Sequence, residues 1–363
     1  MKTPRSVDLL ITGRCNLRCS YCSHFTSGSD VQDLPAGEWL RFFEELGGCS
    51  VMDVCLQGGE PFIREDFKEL IQGVVGNRMR FSILSNGTLI TEDLASFIAS
   101  TGRCNSVQIS IDGSAARIND ACRGEGTFRR AAAGLRLLLK YELPATVRVT
   151  INRENVRDLA QIARMLLEDF GLPGFSTNSA SYLGLCRKNT EQVQLTTQER
   201  VLAMECLGRL ITEYNGRISA TAGPLAEARA WAEMERSRLA GLKASPGYGI
   251  LSGCNGPMEK IGVRADGVIV PCVQMPAMVL GRINDDDFET VWNEHPELNR
   301  FRKRRDLSLE EFEFCRGCDY IPYCTGNCPA SNHTGDKDAY HPSTEGCLKR
   351  FLENGGTLPL DGY

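Results

Sequence analysis

The spacing of the cysteines constrains the fold of this chain more than any other feature of its sequence. The chain contains 16 cysteines but only four histidines. Cys15, Cys19 and Cys22 lie in one short segment near the beginning, and seven more cysteines are spread over residues 254–347. Cysteines of a cytoplasmic protein usually bind metal or take part in chemistry, because disulfides do not persist there. We therefore expect metal centres in two parts of the chain, and their spacing must decide between zinc and larger clusters.

Composition and charge exclude several classes of partner. The formal net charge of -5 offers no basic surface of the kind that binds nucleic acid or anionic membranes. No apolar run reaches the roughly 18 residues that a membrane-spanning helix needs. The residues before Cys15 lack the apolar stretch of a signal peptide. We expect a cytoplasmic protein that binds neither nucleic acid nor a membrane.

Short apolar or β-branched segments alternate with amphipathic segments over the first half of the chain. The predicted strands are 7–12, 52–56, 81–84, 106–111, 146–151 and 175–179. The predicted helices between them are 37–46, 65–75, 92–99, 128–139 and 156–170. Six such alternations predict an α/β fold with a parallel sheet and right-handed crossovers. Periodicity alone does not separate an open doubly wound sheet from a partial barrel.

The pattern divides the chain into three regions. Residues 1–195 form the alternating α/β region, and residues 196–245 are predicted to be a helical bridge rich in Ala, Glu and Arg. Residues 246–363 have few core residues and crowded cysteines. A segment of that kind buries too little apolar surface on its own, so metal ligation must supply much of its stability.

The first cysteine group has the pattern CxxxCxxC directly after the first predicted strand, with Tyr21 before the last cysteine. Three thiolates at this spacing can ligate three irons of a cube and leave the fourth open for a reacting cofactor. Zinc would need a fourth ligand, for which His24 is the candidate. The motif resembles the signature of the radical S-adenosylmethionine (SAM) superfamily. That resemblance implies a partial (β/α)6 barrel in which SAM is cleaved reductively to a 5′-deoxyadenosyl radical.

Further segments resemble the SAM-binding motifs of this family, and each follows a predicted strand. Gly58, Gly59, Glu60 and Pro61 match a GGEP motif, in which the glycines permit close backbone approach and the carboxylate can accept from the SAM amino group. By resemblance, the SAM sulfonium, ribose and carboxylate are contacted at these positions: Ser85, Asn86, Ser110, Asp112 and Arg123. Asn86 and Asp112 could equally be turn or capping residues.

The second cysteine group matches the SPASM pattern, CxnGx4C, Cx2Cx5Cx3C and a final Cys, with Gly267 as its glycine. The resemblance implies a small cysteine-rich domain with two auxiliary clusters, and hence three 4Fe–4S clusters in all. It assigns one cluster to an outer group of ligands, Cys315, Cys318, Cys324 and Cys347. It assigns the other to an inner group, Cys254, Cys272 and Cys328. The fourth ligand of the inner cluster is either Cys186 or Cys206, or the position is open to substrate or solvent.

The six remaining cysteines are mostly expected to be small buried hydrophobic residues. Cys122 and Cys186 follow the fourth and sixth strands, near the presumed active face, and are the candidates for a catalytic or ligand role.

The resemblance leaves the substrate open, since a fold does not determine function. We expect modification of a ribosomally made peptide, by a thioether or carbon–carbon crosslink or by side-chain oxidation. A small-molecule radical dehydrogenase of cofactor biosynthesis, with auxiliary clusters accepting an electron, is the alternative. Sulfatase maturation is disfavoured, because Val273 stands where those enzymes carry an Asp base. With Cys15 so near the beginning, we expect no leader-binding domain, so a separate protein could deliver the peptide. A flavodoxin- or ferredoxin-type protein is the expected reductant.

Overall fold

The computed structural model describes residues 3–24, 32–333 and 339–359. The ten strands in these ranges form a single sheet. The strands are β1 (Ser6–Thr12), β2 (Asp53–Gly58), β3 (Arg80–Ser85), β4 (Cys104–Ser110), β5 (Ala145–Ile151), β6 (Phe175–Ser179), β7 (Ile218–Ala220), β8 (Lys260–Val263), β9 (Val268–Val270) and β10 (Gly281–Arg282). The larger helices are α1 (Ala36–Gly48), α2 (Phe67–Gly76), α3 (Glu92–Ser100), α4 (Ala116–Arg123), α5 (Thr127–Lys140), α6 (Leu159–Arg164), α7 (Thr190–Val193), α8 (Thr197–Glu213) and α9 (Pro224–Leu239). The helices of the cysteine-rich region are α10 (Gly256–Glu259), α11 (Phe288–Glu294), α12 (Pro296–Arg302), α13 (Ala330–His333) and α14 (Leu348–Glu353).

Strands β1 to β7 are parallel and lie side by side in chain order. A doubly wound sheet would reverse its strand order at a switch point, and this sheet does not. All crossovers therefore progress in one direction, which is the arrangement of a partial barrel and confirms the predicted α/β class. All six predicted strands are present. Strand β7, in the segment predicted to be wholly helical, adds a seventh by pairing Phe175 with Ile218.

The helices follow the predicted alternation with two differences. Helix α4 was not predicted, because its sequence is polar and only three of its residues are buried. The segment predicted as one helix over 156–170 is α6 followed by a π-helical stretch, Met165–Asp169.

The cysteine-rich region joins the barrel through its own hairpin. Strand β8 pairs with β1 in parallel, Ser6 opposite Lys260, and β9 returns antiparallel to β8. The turn between them needs Gly267, whose φ is +86° and whose added Cβ would lie 2.7 Å from Leu34 Cδ1. This geometry explains the glycine of the SPASM pattern. It also brings Cys272, just after β9, near β1, where the carboxylate of Asp8 acts on its thiol.

One hydrophobic core underlies the barrel and extends beneath the hairpin. Alternate residues of β1, Val7, Leu9 and Ile11, are fully buried, and α1 packs Trp39 and Phe42 into the same core. Burial of such side chains contributes about 1.5–3 kcal/mol each and keeps the loops at the strand ends in register. Within the described residues, no helix is long and apolar enough to cross a membrane.

Candidate functional site

The segment after β1, residues 13–22, forms the N-terminal cysteine loop at the carboxyl edge of the sheet. Asp33 holds its beginning: the carboxylate accepts from Thr12 Oγ1 at 2.5 Å, from Gly13 N at 2.7 Å and from Arg14 Nε at 3.0 Å. Asp33 lies outside every motif, so the sequence carried no signal for this contact. The loop therefore starts from a fixed position beside the ends of β2 and β3.

Gly58 and Gly59 allow the end of β2 to lie directly against this loop. Gly59 N donates to Thr12 O at 2.9 Å, and Glu60 N donates to Arg14 O at 2.9 Å. A Cβ on Gly59 would stand 2.1 Å from Arg14 O, and one on Gly58 would stand 2.2 Å from Thr12 O. Only glycine fits at these two positions, as the motif led us to expect.

Glu60 is fully buried and links β2 to β3. Its Oε1 accepts from Ser85 Oγ at 2.8 Å and from Phe62 N at 3.2 Å, and its Oε2 accepts from Asn86 N at 2.7 Å. Burial raises the pKa of Glu60 to about 7, although these three donors act to lower it. The Glu60 carboxylate thus ties the end of β2 to the end of β3. One lone pair of Oε2 is left to accept from a further donor.

Asn86 and Thr88, just after β3, brace the N-terminal cysteine loop. Asn86 Nδ2 donates to Asn16 Oδ1 at 2.9 Å, and Asn16 Nδ2 donates to Thr88 Oγ1 at 2.9 Å. Asn86 Nδ2 also lies 3.9 Å from Cys15 Sγ. Ser110, the last residue of β4, is partly exposed at the same edge of the sheet. The structure thus brings the residues predicted after β3 and β4 to the edge that carries the cysteines.

Tyr21, Asp112 and Arg123 form a buried network behind Cys19. Arg123 Nε lies 2.6 Å from Asp112 Oδ2, which also accepts from the Tyr21 hydroxyl, and Thr150 N donates to Asp112 Oδ1 at 2.7 Å. The Arg123 guanidinium stacks on the Tyr21 ring and turns Nη1 to 4.0 Å from Cys19 Sγ. These three residues fix the position of the loop, whatever they contribute to cofactor binding.

Cys122 and Cys186 lie together in a small apolar cluster with Ala180 and Val193, next to Tyr21. Burial raises the pKa of each thiol to about 11. Burial raises the thiol pKa of Cys15 and Cys315 to the same value, so the shift does not separate a cluster ligand from a packing residue. Their positions suit buried packing residues, and a catalytic role for either stays a prediction.

The ten cysteines of the two patterns come together in three groups. Burial raises the pKa of Cys15 to about 11, with smaller contributions from the thiolates of Cys19 and Cys22. Burial raises that of Cys272 to about 12, with contributions from Cys254 and Cys328. Burial likewise raises that of Cys315 to about 11, and the interacting thiolates there are Cys318, Cys324 and Cys347. These are the N-terminal, inner and outer groups that the sequence predicted.

Backbone N–H groups donate hydrogen bonds to several sulfurs in these groups. Each of four sulfurs accepts from the N–H two residues further along the chain, at 3.3–3.5 Å, and these sulfurs belong to Cys15, Cys254, Cys272 and Cys324. Such hydrogen bonds stabilise thiolates and tune iron–sulfur clusters. In the described ranges, no group of three or more His, Cys, Asp or Glu side chains is placed to hold a single metal ion, and the zinc alternative with His24 stays untested. The donor sets fit clusters of three, three and four cysteine ligands.

The two cysteines considered as a fourth ligand of the inner group lie in different surroundings. Cys206 is on α8, where its thiol interacts with Arg209 and Glu213. The charge of the Glu345 carboxylate contributes to raising the thiol pKa of both Cys186 and the inner-group Cys328. The same carboxylate accepts from Tyr182 N at 3.3 Å. Sequence reasoning missed Glu345, which lies two residues before an outer ligand and reaches across to the barrel.

A cavity of about 340 Å³ lies between the carboxyl edge of the barrel and the β8–β9 hairpin. The end of β1 with Gly13, and the end of β2 with Gly58 and Gly59, form one side of it. The other lining residues are Ser23, His24 and parts of the segments 183–187 and 264–277. Val273 borders this cavity and offers no proton acceptor there. Arg187 and Gln274 also line it, and the sequence analysis singled out neither. Their positions in the sequence, Arg187 just after β6 and Gln274 just after Cys272, could have indicated that they lie near the site.

Two family models match this chain. The model of the radical SAM superfamily matches residues 9–166, and that of SPASM, an iron–sulfur cluster-binding domain, matches residues 254–319. The first match includes the N-terminal cysteine loop and every residue named above around it from Cys15 to Thr150. The second covers the inner ligands Cys254 and Cys272 and the first two outer ligands.

Relatives and solved structures agree with these matches. An AdoMet-dependent heme synthase of Methanosarcina barkeri is 27% identical over 92% of this chain and 94% of the relative. A PqqA peptide cyclase of Bradyrhizobium diazoefficiens is 26% identical over 92% of this chain and 84% of the relative. The structure of Streptococcus suis SuiB bound to precursor peptide SuiA superimposes with a TM-score of 0.73 at 16% identity, covering 96% of this chain and 76% of SuiB. The chain is therefore a radical SAM enzyme with a SPASM domain and belongs to the radical SAM superfamily.

Proposed function

We propose that this enzyme cleaves SAM reductively and uses the resulting radical to abstract hydrogen from a ribosomally made peptide. When bound, a 4Fe–4S cluster in the N-terminal group supplies the electron for that cleavage. Cys15, Cys19 and Cys22 would hold three of its irons and leave the fourth for the amino and carboxylate groups of SAM. The inner and outer groups would hold two further 4Fe–4S clusters, and a flavodoxin- or ferredoxin-type protein would deliver electrons.

The chain's own residues position and enclose the reacting groups. Gly58 and Gly59 let a cofactor approach the backbone, and Glu60 keeps one acceptor for the SAM amino group. The Arg123–Asp112 pair holds the loop that carries Cys19. The hairpin forms one wall of the cavity beside these groups, and a site kept free of bulk water would protect a reactive intermediate from side reactions.

The cavity between the barrel and the hairpin is the main structural support for a peptide substrate. Ligand cavities range over about 300–1000 Å³, so 340 Å³ suits one or two side chains of an extended segment. The similarity to a PqqA peptide cyclase, and to SuiB, whose structure was determined with a precursor peptide, supports the same substrate class. A thioether or carbon–carbon crosslink, or oxidation of a side chain, is the product we propose.

The test uses the peptide that any short reading frame beside this gene encodes. The reduced holoenzyme is incubated with SAM and that peptide, synthesised with deuterium at the side-chain carbons. Transfer of deuterium into 5′-deoxyadenosine together with a peptide of lower mass supports the proposal. Cleavage of SAM without deuterium transfer from any candidate peptide contradicts it.

A radical reaction on a small molecule is the second candidate, favoured by the similarity to an AdoMet-dependent heme synthase over nearly the whole chain. The size of the cavity favours a small-molecule substrate of the tetrapyrrole class less than a peptide. A tetrapyrrole macrocycle is larger than about 340 Å³, and SAM must approach the same space. Turnover of a carboxylated tetrapyrrole under the same conditions would favour this candidate over the peptide. Maturation of sulfatases is not proposed, since Val273 cannot accept a proton.

A further inference from the structure

The cavity between the barrel and the hairpin has an unbalanced charge. The described residues that line it include Arg187, Arg264 and His24, and they include no Asp or Glu. Arg264 is already paired, because its Nη2 lies 2.6 Å from Asp266 Oδ2 and its Nη1 donates to Pro276 O at 2.9 Å. With His24 counted as neutral, as in the formal charge of the chain, Arg187 and Arg264 are the two formal cations of this lining. Arg187 is left as the cation whose charge the cavity wall does not balance.

Arg187 is held in place but its guanidinium is not satisfied. Its Nε is buried and has no hydrogen-bond partner among the described residues, and no carboxylate pairs with it there. The guanidinium stacks on the Tyr182 ring at 5.2 Å. A buried N–H without a partner is costly, and a native structure keeps one mainly where a ligand or water completes it.

The segment that carries Arg187 is fastened to the N-terminal cysteine loop. Leu185 N donates to Cys22 O at 2.8 Å, and Asn189 Nδ2 donates to Ser20 O at 2.8 Å. Gly184 has a φ of +52°, and a Cβ there would stand 2.4 Å from Cys22 O. The segment that carries Arg187 is therefore fixed next to the loop whose cysteines would hold the reacting cluster.

We propose that Arg187 binds a carboxylate of the substrate in this cavity, so that the modified peptide carries an Asp or Glu beside the site of hydrogen abstraction. Stacking on Tyr182 uses only the face of the guanidinium, and its N–H groups can make two parallel hydrogen bonds to a carboxylate. The inference rests on the proposed peptide substrate. It concerns which peptides bind, not whether SAM is cleaved.

The test measures binding to the SAM-loaded holoenzyme under anaerobic conditions. The probes are acetylated and amidated tetrapeptides in matched pairs that differ only by Glu or Gln, so that the side chain is the sole carboxylate. We expect the wild type to bind the Glu peptide with a Kd at least about tenfold lower than that of the Gln peptide. Arg187→Gln should abolish this preference, Arg187→Lys should keep part of it, and the exposed neighbour Lys188→Gln should leave it unchanged.

Three outcomes would overturn the inference: no preference in the wild type, an equal preference in Arg187→Gln, or a loss of SAM affinity in Arg187→Gln that accounts for the change. In each, peptide binding itself could persist, and the proposed function would stand. If no tetrapeptide binds but a tetrapyrrole bearing propionate groups binds in an Arg187-dependent way, the carboxylate site stands and the peptide function falls.

Discussion

Arg123 and Asp112 form a buried ion pair, 2.6 Å from Nε to Oδ2, with side chains only 7% and 1% exposed. Asp112 also accepts from Tyr21 and from Thr150 N, so its charge is compensated on every side. By resemblance, Arg123 contacts the SAM carboxylate, yet its Nε is committed to Asp112. The pair therefore stabilises the fold around Cys19 independently of any cofactor.

Removing one partner of this pair should be costly, because the other would be left as an unpaired buried charge. We expect Arg123→Met to lower the free energy of unfolding by about 3–5 kcal/mol. The double variant Arg123→Met/Asp112→Leu should recover part of the loss, since no buried charge remains. Chemical denaturation measures both. Lys68→Met, which breaks an exposed pair with Asp93, is the control and should have little effect. A loss from Arg123→Met as small as that of the control would contradict the buried role.

Glu60 should make SAM binding depend on pH near neutrality. Burial raises its pKa to about 7, so the carboxyl group is mostly protonated at pH 6 and mostly ionised at pH 8. The ionised form accepts more strongly from the SAM amino group, so the Kd for SAM should fall as pH rises through about 7. Glu60→Gln should remove this dependence and cost about 1.5–3 kcal/mol of binding at pH 8. Equilibrium dialysis measures the Kd, and iron content serves as the control. Unchanged affinity would mean that the motif is only a turn.

Local sequence patterns were sufficient to predict the barrel strands and the grouping of the cysteines. Strand β1 alternates partly exposed and buried positions over Ser6–Ile11, and its end is marked by the polar segment that carries Cys15. The spacing of Cys15, Cys19 and Cys22 is also local, so the N-terminal group could be read directly. The outer group and the inner group, which spans Cys254 to Cys328, were identified only by resemblance.

Contacts between distant segments could not be predicted. Strands β7 and β8 are short, at three and four residues, and their pairing depends on partners far away in the chain. Asp33 binds the N-terminal cysteine loop, and Arg187 lines the cavity beside it, only in the folded protein. A lone acid or base in a polar loop gives no sequence signal for such a role, because solvated loops contain many of them.

Glycine at position 59 should be required for the N-terminal cysteine loop to hold its cluster. In Gly59→Ala the new methyl group would stand 2.1 Å from Arg14 O, so either the loop or the end of β2 must move. We expect the variant to lose about a third of the bound iron, and SAM cleavage with it. Gly48→Ala is the matched control, because a Cβ there meets nothing within 4 Å. Normal iron content and activity in Gly59→Ala would show that the contact is not needed.

The inner group should keep one iron without a cysteine ligand. The surroundings of Cys206 on α8, and of Cys186 in its apolar cluster, lead us to expect that Cys186→Ala and Cys206→Ala each retain about 12 irons per chain. Cys328→Ala is the positive control and should lose iron. An open iron could bind a substrate thiolate, which would favour thioether formation. Loss of about four irons from either single variant would instead identify the missing ligand.

The production of 5′-deoxyadenosine by the variant Cys15→Ala/Cys19→Ala/Cys22→Ala tests the central claim most directly. The reconstituted wild type should hold about 12 irons per chain and, with SAM and a strong reductant, release 5′-deoxyadenosine. The triple variant should keep about 8 irons in the inner and outer groups and release none. If it still produces 5′-deoxyadenosine at the wild-type rate, the N-terminal group does not hold the cluster that cleaves SAM, and the account is wrong.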